Sequence, residues 1–360
     1  IDQPMSKETL ISIAQRTGFS VSTVSRVLSG QAAKYRISEK TVALIAREAE
    51  RCNYTPSLLA KGLRTSRTDT LGLLIPSIDN PYFAHIASII VHEARAKGYK
   101  VILIDTSEDE RNEREGVRSL LSRKVDGILI APAGDDPAFL EATARQTPVV
   151  CIDRHFAKTS LPYVVTDNLR GGREATQHLI DRGHRRILCI QGVRHSIPSA
   201  DRVRGYRQAL EDNGLSAYAR VTGDGFSIRN GYEQTLRALH VRQRPTAIFA
   251  LSNTILLGAL KAVREMKLRI PDDISLVSFD NYDYLDYLDP AVTRVGQPSD
   301  EIGAQAMEIL LQRIAGETGG GLLLSVGPRV RLPSGTPASN AEIFIFDVAY
   351  IKGTKNSFTV

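Results

Sequence analysis

Hydrophobic and polar positions follow two different patterns along this chain, and the change falls near residue 70. Before it, apolar residues recur at helical spacing in three short stretches between residues 9 and 52. After it, apolar runs of strand length alternate with amphipathic helical stretches. The first pattern predicts a small helical domain. The second predicts a doubly wound parallel α/β sheet, formed twice.

The later pattern gives a definite series of elements. The predicted strands are the apolar runs 70–76, 99–105, 125–132, 147–153, 185–192, 246–251 and 274–280, with a short strand at 292–297. The predicted helices cover 81–97, 110–123, 170–182, 201–213, 229–239, 254–267 and 301–315. Ligands of such sheets lie beyond the carboxyl ends of the strands, so polar residues there are candidates for a binding site.

Residues 9–28 carry the pattern of a helix-turn-helix. Gly18 supplies the left-handed conformation that a tight turn between helices needs, and Ser20 is placed to cap the next helix. We expect Ala14, Val24 and Val27 to pack the two helices together. A plain helical hairpin is the alternative, and the pattern alone does not exclude it.

The distribution of charge favours DNA binding. Residues 1–67 hold 11 Lys and Arg against 5 Asp and Glu, which accounts for the whole net charge of +6. The rest of the chain is neutral. A basic, helically patterned segment on a neutral body is typical of a domain that binds a polyanion.

Composition also bounds the class of protein. Three cysteines are too few for a disulfide framework, and two of them lie in predicted buried strands, so we expect reduced thiols. No signal peptide and no long apolar run are visible in the sequence, which favours a cytoplasmic protein with no membrane partner. The seven histidines show no metal-binding spacing, and no phosphate-binding loop occurs, so we expect neither a metal nor a cofactor.

The chain resembles the LacI/GalR family of bacterial transcription regulators over residues 8–335. The motifs that carry the resemblance, in chain order, are SVSTVSRVLSG, NYTPSLLAKGLR, DNPYFAHI, the stretch 167–187 and RIPDDISLVSFDN. Each motif is modest by itself, but their order and spacing together are specific. Two segments depart from the family pattern: 31–38 is longer and more basic than usual, and 339–360, with the apolar run 342–351, does not match the usual tail.

The resemblance implies a domain organisation. Residues 6–55 form the helix-turn-helix head and 56–69 a hinge helix. Residues 70–338 form two doubly wound α/β lobes like the type I periplasmic sugar-binding proteins, and 339–360 form an atypical tail. We expect the first lobe to hold residues 70–163 and 292–330, and the second lobe to hold 164–291.

The resemblance also implies DNA contacts. Val21, Ser22 and Arg26 match positions that contact bases, and Arg26 also fits a phosphate contact. Leu63 matches a hinge leucine that wedges into the minor groove and bends the duplex. The other expected DNA-binding residues are Ser20, Thr23, Ser25, Tyr54, Ser57 and Arg64. Core packing is the alternative role for Val21 and for Leu63.

An effector pocket between the lobes is implied as well. Its expected lining is Tyr82, Phe83, Asp153, Arg154, Arg202, Phe226, Asn253, Asp280 and Gln297. Aromatic rings stack on the apolar face of a sugar, while carboxylates, amides and guanidinium groups bond its hydroxyls. Arg154 and Arg202 together also admit an acidic effector, such as a sugar acid or a phosphorylated sugar. Helix-start packing by Tyr82 and Phe83, and turn capping by Asp280, are the structural alternatives.

The function implied is that of a repressor controlled by a small sugar-like or sugar-acid effector. It would bind a near-palindromic double-stranded operator as a homodimer, with a tetramer left open, and the effector could act as inducer or co-repressor. The competing classes are a solute-binding protein of a transporter and a sugar-processing enzyme. The basic head argues against the first, and the lack of a paired acid/base or nucleophile set argues against the second.

Overall fold

The computed structural model describes residues 8–54, 67–289, 292–317, 323–326, 329–331 and 349–351. The chain divides into two compact units, with the boundary between Thr68 and Asp69. The first unit is the head, and the second contains the two α/β lobes.

The head has the three predicted helices: α1 Leu10–Thr17, α2 Val21–Leu28 and α3 Glu39–Arg51. Gly18 ends α1 with φ 74°, as the left-handed turn required. The Ser20 side chain accepts a hydrogen bond from the Thr23 amide and so caps α2, and Ser38 caps α3 in the same way. The centre of the head is a small apolar core of Ile13, Ala14, Val24, Val27, Ile45 and Ala49. The prediction for residues 9–52 is confirmed.

The second unit contains two sheets. The first lobe has β1 Thr70–Ile75, β2 Lys100–Asp105, β3 Gly127–Ile130, β4 Val149–Ile152, β5 Tyr163–Thr166, β11 Leu323–Val326 and β13 Ala349–Ile351, in the order β13-β11-β5-β4-β3-β1-β2. The second lobe has β6 Ile187–Ile190, β7 Arg220–Thr222, β8 Ala247–Ala250, β9 Ser275–Phe279, β10 Thr293–Gly296 and β12 Arg329–Arg331, in the order β12-β10-β9-β8-β6-β7.

Helices cover these sheets. They are α4 Pro81–Ala96, α5 Glu110–Ser122, α6 Ala138–Ala144, α7 Asn168–Asp181, α8 Ile197–Asp212, α9 Ile228–Leu239, α10 Asn253–Glu265 and α11 Ser299–Ile314, with 3-10 turns at Ser216–Tyr218 and Asp283–Tyr287. The central strand pairs are parallel, and strand register places Leu73 beside Leu129 and Phe249 beside Val277. Strands of this kind are apolar because helices bury both faces of the sheet. The predicted pair of doubly wound lobes is confirmed.

The expected division between the lobes is wrong at three places. Residues 163–166 pair with β4 and β11, so this strand belongs to the first sheet although we assigned residue 164 onward to the second lobe. Residues 293–296 pair with β9, so they belong to the second sheet and not to the first. Residues 329 and 330, in β12, pair with β10 and also belong to the second sheet. Within 292–330, α11 and β11 do belong to the first lobe, since Ile302, Ala306 and Met307 pack in its core and β11 pairs with β5. Apolar runs predict strands well, but they do not say which sheet a strand joins.

The atypical tail contributes one described strand. Residues 349–351, at the end of the apolar run 342–351, pair antiparallel with residues 323–325 of β11. The rest of that run lies outside the described residues.

Candidate functional sites

The exposed face of α2 carries the predicted DNA-reading residues. Val21 is 41% exposed and is absent from the core of the head, so the core-packing alternative for this residue is wrong. Ser22 is also exposed, while Thr23 and Ser25 are half-buried. The hydroxyls of Ser22 and Thr23 each lie 2.9 Å from Ser20 Oγ, which joins them to the helix cap.

The remaining DNA-site predictions divide into two groups. Tyr54 follows α3 and packs against the core of the head, where burial raises the pKa of its phenol. Ser57, Leu63 and Arg64 lie outside the described residues. Their expected roles in the hinge therefore stay predictions.

A narrow cleft lies between the two lobes, and its cavity volume is about 20 Å³. That is far below the roughly 300–1,000 Å³ of a small-molecule site, so the lobes must separate before a sugar-sized ligand can enter. Its lining is Asn80, Tyr82, Phe83, Asp153, Arg154, Ser196, Pro198, Arg202, Phe226, Ser252, Asp280 and Gln297. The structure thus brings together all of the predicted effector residues except Asn253.

Asp153 lies at the end of β4 with a positive φ of 59°, which turns the chain sharply after the strand. The residue is 5% exposed, and its Oδ1 has no hydrogen-bond partner among the described residues. Burial raises the pKa of this carboxyl group. The hydroxyl of Tyr82, another buried lining residue, is also unpaired in the described part of the chain. Buried polar atoms without partners are rare, so this pair is suited to bind a polar ligand.

Arg202 is held rigidly on α8. Its Nε donates to Asn168 Oδ1 at 2.8 Å and its Nη1 donates to the Leu251 carbonyl at 2.7 Å. The guanidinium carbon lies 3.8 Å from the centre of the Phe279 ring. Burial lowers the pKa of Arg202, but the group stays charged at neutral pH. Within the described residues Nη2 has no hydrogen-bond partner, so one donor edge remains for a ligand.

The position of Arg202 depends on close packing of two helices. A side chain at Gly172 on α7 would collide with the backbone of Arg202 on α8, and one at Gly205 would collide with the Leu169 carbonyl. These two glycines therefore allow α7 and α8 to approach closely. That approach lets Asn168 at the start of α7 reach the guanidinium group.

Asp280 is the corresponding carboxylate at the end of β9, also with a positive φ, 78°. Its Oδ2 accepts from the backbone amide of Asn253 at 3.1 Å, and its Oδ1 accepts from Gln297 Nε2 at 2.6 Å. Gln297 Oε1 in turn accepts from the Thr166 hydroxyl at 2.7 Å. This chain of hydrogen bonds links the end of a first-lobe strand, β5, to the end of a second-lobe strand, β9.

The structure does not place Asn253 in the cavity wall. The residue is fully buried at the start of α10, behind Asp280. Its side-chain amide nitrogen lies 3.2 Å from the Tyr284 hydroxyl, to which it donates. Asn253 therefore orients Asp280 through its backbone amide instead of lining the cavity.

Arg154 lines the cavity, but its cationic end is occupied. Nη1 and Nη2 donate to the two carboxylate oxygens of Glu108 at 2.6 and 2.8 Å. Nε lies 4.0 Å from Asp153 Oδ2. A forked ion pair of this kind is among the strongest side-chain contacts. Because Arg154 is already paired, this geometry argues against the expectation that Arg154 and Arg202 together bind an acidic effector.

Sequence reasoning missed several lining residues: Asn80, Ser196, Pro198 and Ser252. Asn80, Ser196 and Ser252 are the N-cap residues of α4, α8 and α10, helices that follow parallel strands. Polar helix caps after strands face the carboxyl edge of the sheet, where ligands bind. That rule was available from the sequence.

The described residues contain no group of three or more His, Cys, Asp or Glu side chains arranged to hold a metal ion. The same residues contain no helix that is both long and apolar enough to cross a membrane.

A helix-turn-helix head joined to a two-lobed core with a polar cleft defines a ligand-responsive DNA-binding regulator. Comparison with known protein families supports this class for both the head and the core. Residues 9–57 match the family of bacterial regulatory proteins, lacI family. Residues 68–328 match the periplasmic binding proteins and sugar binding domain of LacI family. The chain therefore belongs to the LacI family of transcription regulators, with a DNA-binding head and a sugar-binding core.

Similar proteins support this placement. The HTH-type transcriptional regulator DegA of Bacillus subtilis is 33% identical over 304 residues, covering 83% of this chain and 89% of DegA. The ribose operon repressor of Escherichia coli is 31% identical over 316 residues, covering 86% of this chain and 94% of the repressor.

Solved structures agree. The lac repressor dimer bound to operator and the anti-inducer ONPF is 25% identical with a TM-score of 0.82, covering 90% of this chain and 98% of that one. A LacI-family regulator of Enterococcus faecium with bound ribose is 26% identical with a TM-score of 0.66, covering 73% and 97%.

Proposed function

We propose that this protein is a homodimeric repressor whose cleft binds a small, neutral, hydroxyl-rich sugar, and that sugar binding changes its affinity for a near-palindromic operator. The pairing of Arg154 with Glu108 is the observation that supports a neutral ligand. With Arg154 neutralised, the remaining cation in the cleft, Arg202, faces the carboxylates of Asp153 and Asp280. A carboxylate or phosphate ligand would enter a site that already has balanced or excess negative charge.

The roles of the lining residues follow from their free atoms. Asp153 Oδ1 and the Tyr82 hydroxyl have no hydrogen-bond partner among the described residues and would bond sugar hydroxyls. Arg202 Nη2 would donate a hydrogen bond to another hydroxyl of the sugar. Phe83 and Phe226 supply apolar ring surface for the face of the sugar. Ribose is our first candidate, because one relative is a ribose operon repressor and a similar structure holds ribose.

The same geometry argues against an enzyme. Both carboxylate oxygens of Asp280 already accept hydrogen bonds, from Asn253 and Gln297, so this group is not free to act as a base or nucleophile. A glycosidase uses two carboxyl groups that flank the bond it cleaves, and Asp153 supplies only one of them. We propose a regulator without catalytic activity, acting in the cytoplasm where its operator DNA lies.

A binding panel tests the proposed ligand class. The full chain is titrated by calorimetry with ribose, xylose and fructose, and with gluconate and ribose 5-phosphate as acidic counterparts. We expect a neutral sugar to bind at least ten times more tightly than any acidic one. Tighter binding of gluconate or ribose 5-phosphate would reject the neutral-sugar assignment.

A second experiment tests the DNA-binding role. Mobility-shift selection from sheared genomic DNA should enrich fragments that share a near-palindromic sequence. Failure to retain any fragment, with intact sugar binding, would favour the solute-binding alternative.

A further inference from the structure

We infer that Tyr35 positions Arg26 for base recognition, and so helps to set the DNA sequence that this protein prefers. The inference rests on the DNA-binding function of the head. Tyr35 lies in segment 31–38, the stretch whose length and charge depart from the family pattern.

The two side chains form a stacked cation–π pair. The guanidinium carbon of Arg26 lies 3.9 Å from the centre of the Tyr35 ring. The Lys34 ammonium is more distant from the same ring, at 5.9 Å. At 3.9 Å a perpendicular guanidinium group would push a nitrogen into the ring, so we take the group to lie with its face in van der Waals contact with the ring, a favourable arrangement for arginine.

The stack occupies the face of the guanidinium group, and among the described residues of the head nothing occupies its edge. No side chain in the described head, residues 8–54, accepts a hydrogen bond or forms an ion pair with Arg26. Arginine reads guanine through two parallel hydrogen bonds from that edge to O6 and N7. The Tyr35 ring therefore holds the Arg26 guanidinium group in an orientation in which its edge can donate two hydrogen bonds to a base.

The backbone of the segment holds the ring in place. The Gln31 amide donates to the Arg26 carbonyl at 2.9 Å, and the Ile37 amide donates to the Ala32 carbonyl at 3.0 Å. Ala32 and Ile37 both pack against the core of the head. Tyr35 therefore projects from a short loop that is fixed at both ends, although its own side chain is 42% exposed.

The ring affects DNA binding by limiting the conformations of Arg26. A free arginine side chain loses rotamer entropy when it binds a base, and a stacked one has already lost part of it. For an exposed pair the gain is about two- to five-fold in affinity for the preferred sequence. Phosphate contacts made elsewhere on the head do not depend on this ring.

The test is selection of duplex DNA from a randomised library by the full chain, with sequencing of the bound fraction. Arg26→Ala identifies the base pairs that Arg26 reads. Tyr35→Ala should weaken preference at those same pairs about two- to five-fold, and leave other positions unchanged. Tyr35→Phe keeps the ring and should select like the parent, and Lys34→Gln should keep the parental preference while weakening binding to all sequences.

A double-variant comparison separates positioning from folding. Tyr35→Ala made in the Arg26→Ala background should cause no further loss of preference, because its target side chain is already absent. A further loss in that background, or unchanged preference in Tyr35→Ala alone, would overturn the inference. If the parent chain itself selects no sequence, the proposed operator recognition fails instead.

Discussion

Gln297 donates a 2.6 Å hydrogen bond to the carboxylate of Asp280 at the point where the two lobes meet. The same amide group accepts from Thr166, whose strand belongs to the first sheet. Asp280 ends β9 in the second sheet. A single side chain thus connects one wall of the cleft to the other, so a ligand that displaces or reinforces this contact would bias the relative positions of the lobes.

Loss of the Gln297 bridge should weaken the core. Gln297→Met keeps the volume but leaves Asp280 Oδ1 and the Thr166 hydroxyl without partners, at a cost of about 1–3 kcal/mol in the free energy of unfolding. Differential scanning calorimetry of the full chain measures the shift of the core transition. Gln208→Met is the control, since Gln208 is exposed on α8. Equal transitions for both variants would show that the bridge contributes nothing.

Arg202 and Asp153 should respond differently to substitution. Arg202→Met removes donors to Asn168 and the Leu251 carbonyl, so it should lower both sugar affinity and the midpoint of thermal unfolding. Asp153→Asn keeps the side-chain volume but removes the charge beside Arg154 Nε, which is a long 4.0 Å contact, so it should lower sugar affinity roughly ten- to hundred-fold with a smaller change in the midpoint than Arg202→Met. Calorimetric titration and thermal melts of both variants check this contrast. A large loss of thermal stability in Asp153→Asn would assign this carboxylate a structural role.

The N-cap of the recognition helix should matter for both folding and DNA binding. Ser20→Ala removes the acceptor for the Thr23 amide and should cost the head about 0.5–2 kcal/mol. Ser38→Ala removes the equivalent cap of α3 and is the matched control. Both should lower the thermal stability of the head, but Ser20→Ala should weaken operator binding more, because α2 carries the exposed face. Equal loss of operator affinity in the two variants would contradict a special role for α2.

His178 on α7 should make the core sensitive to mild acid. Burial and the adjacent Arg182 lower the pKa of His178 to about 4, whereas an unfolded histidine titrates near 6.5. Below pH 6.5 the unfolded chain therefore binds more protons than the folded one, and stability falls until the pH reaches about 4. His178→Gln should flatten that part of the stability profile. Parallel profiles for the parent and the variant would show that His178 is not responsible.

Much of this architecture could be predicted from periodicity and motifs, and the failures have definite causes. Apolar runs and helix caps located the head and both lobes, because these signals are local in sequence. The partners of a strand are not local in sequence, so periodicity places residues 164–166, 293–296 and 329–330 in the wrong sheets.

The same distinction holds for the cleft. The carboxylates Asp153 and Asp280 follow apolar strands and could be located by that rule. The pairing of Arg154 with Glu108 joins residues that are 46 positions apart, and no sequence pattern connects them. The charge available to a ligand therefore became evident only from the folded chain.

The most direct test of the central claim is the affinity for operator DNA, measured by fluorescence anisotropy with and without the sugar found by titration. We predict that the sugar changes the operator affinity of the parent chain at least five-fold, the lower range of allosteric coupling. Asp153→Asn should bind the operator like the parent without sugar, and its response should need about ten- to hundred-fold more sugar. An operator affinity that is independent of sugar in the parent, under conditions where calorimetry shows the cleft saturated, would contradict the account.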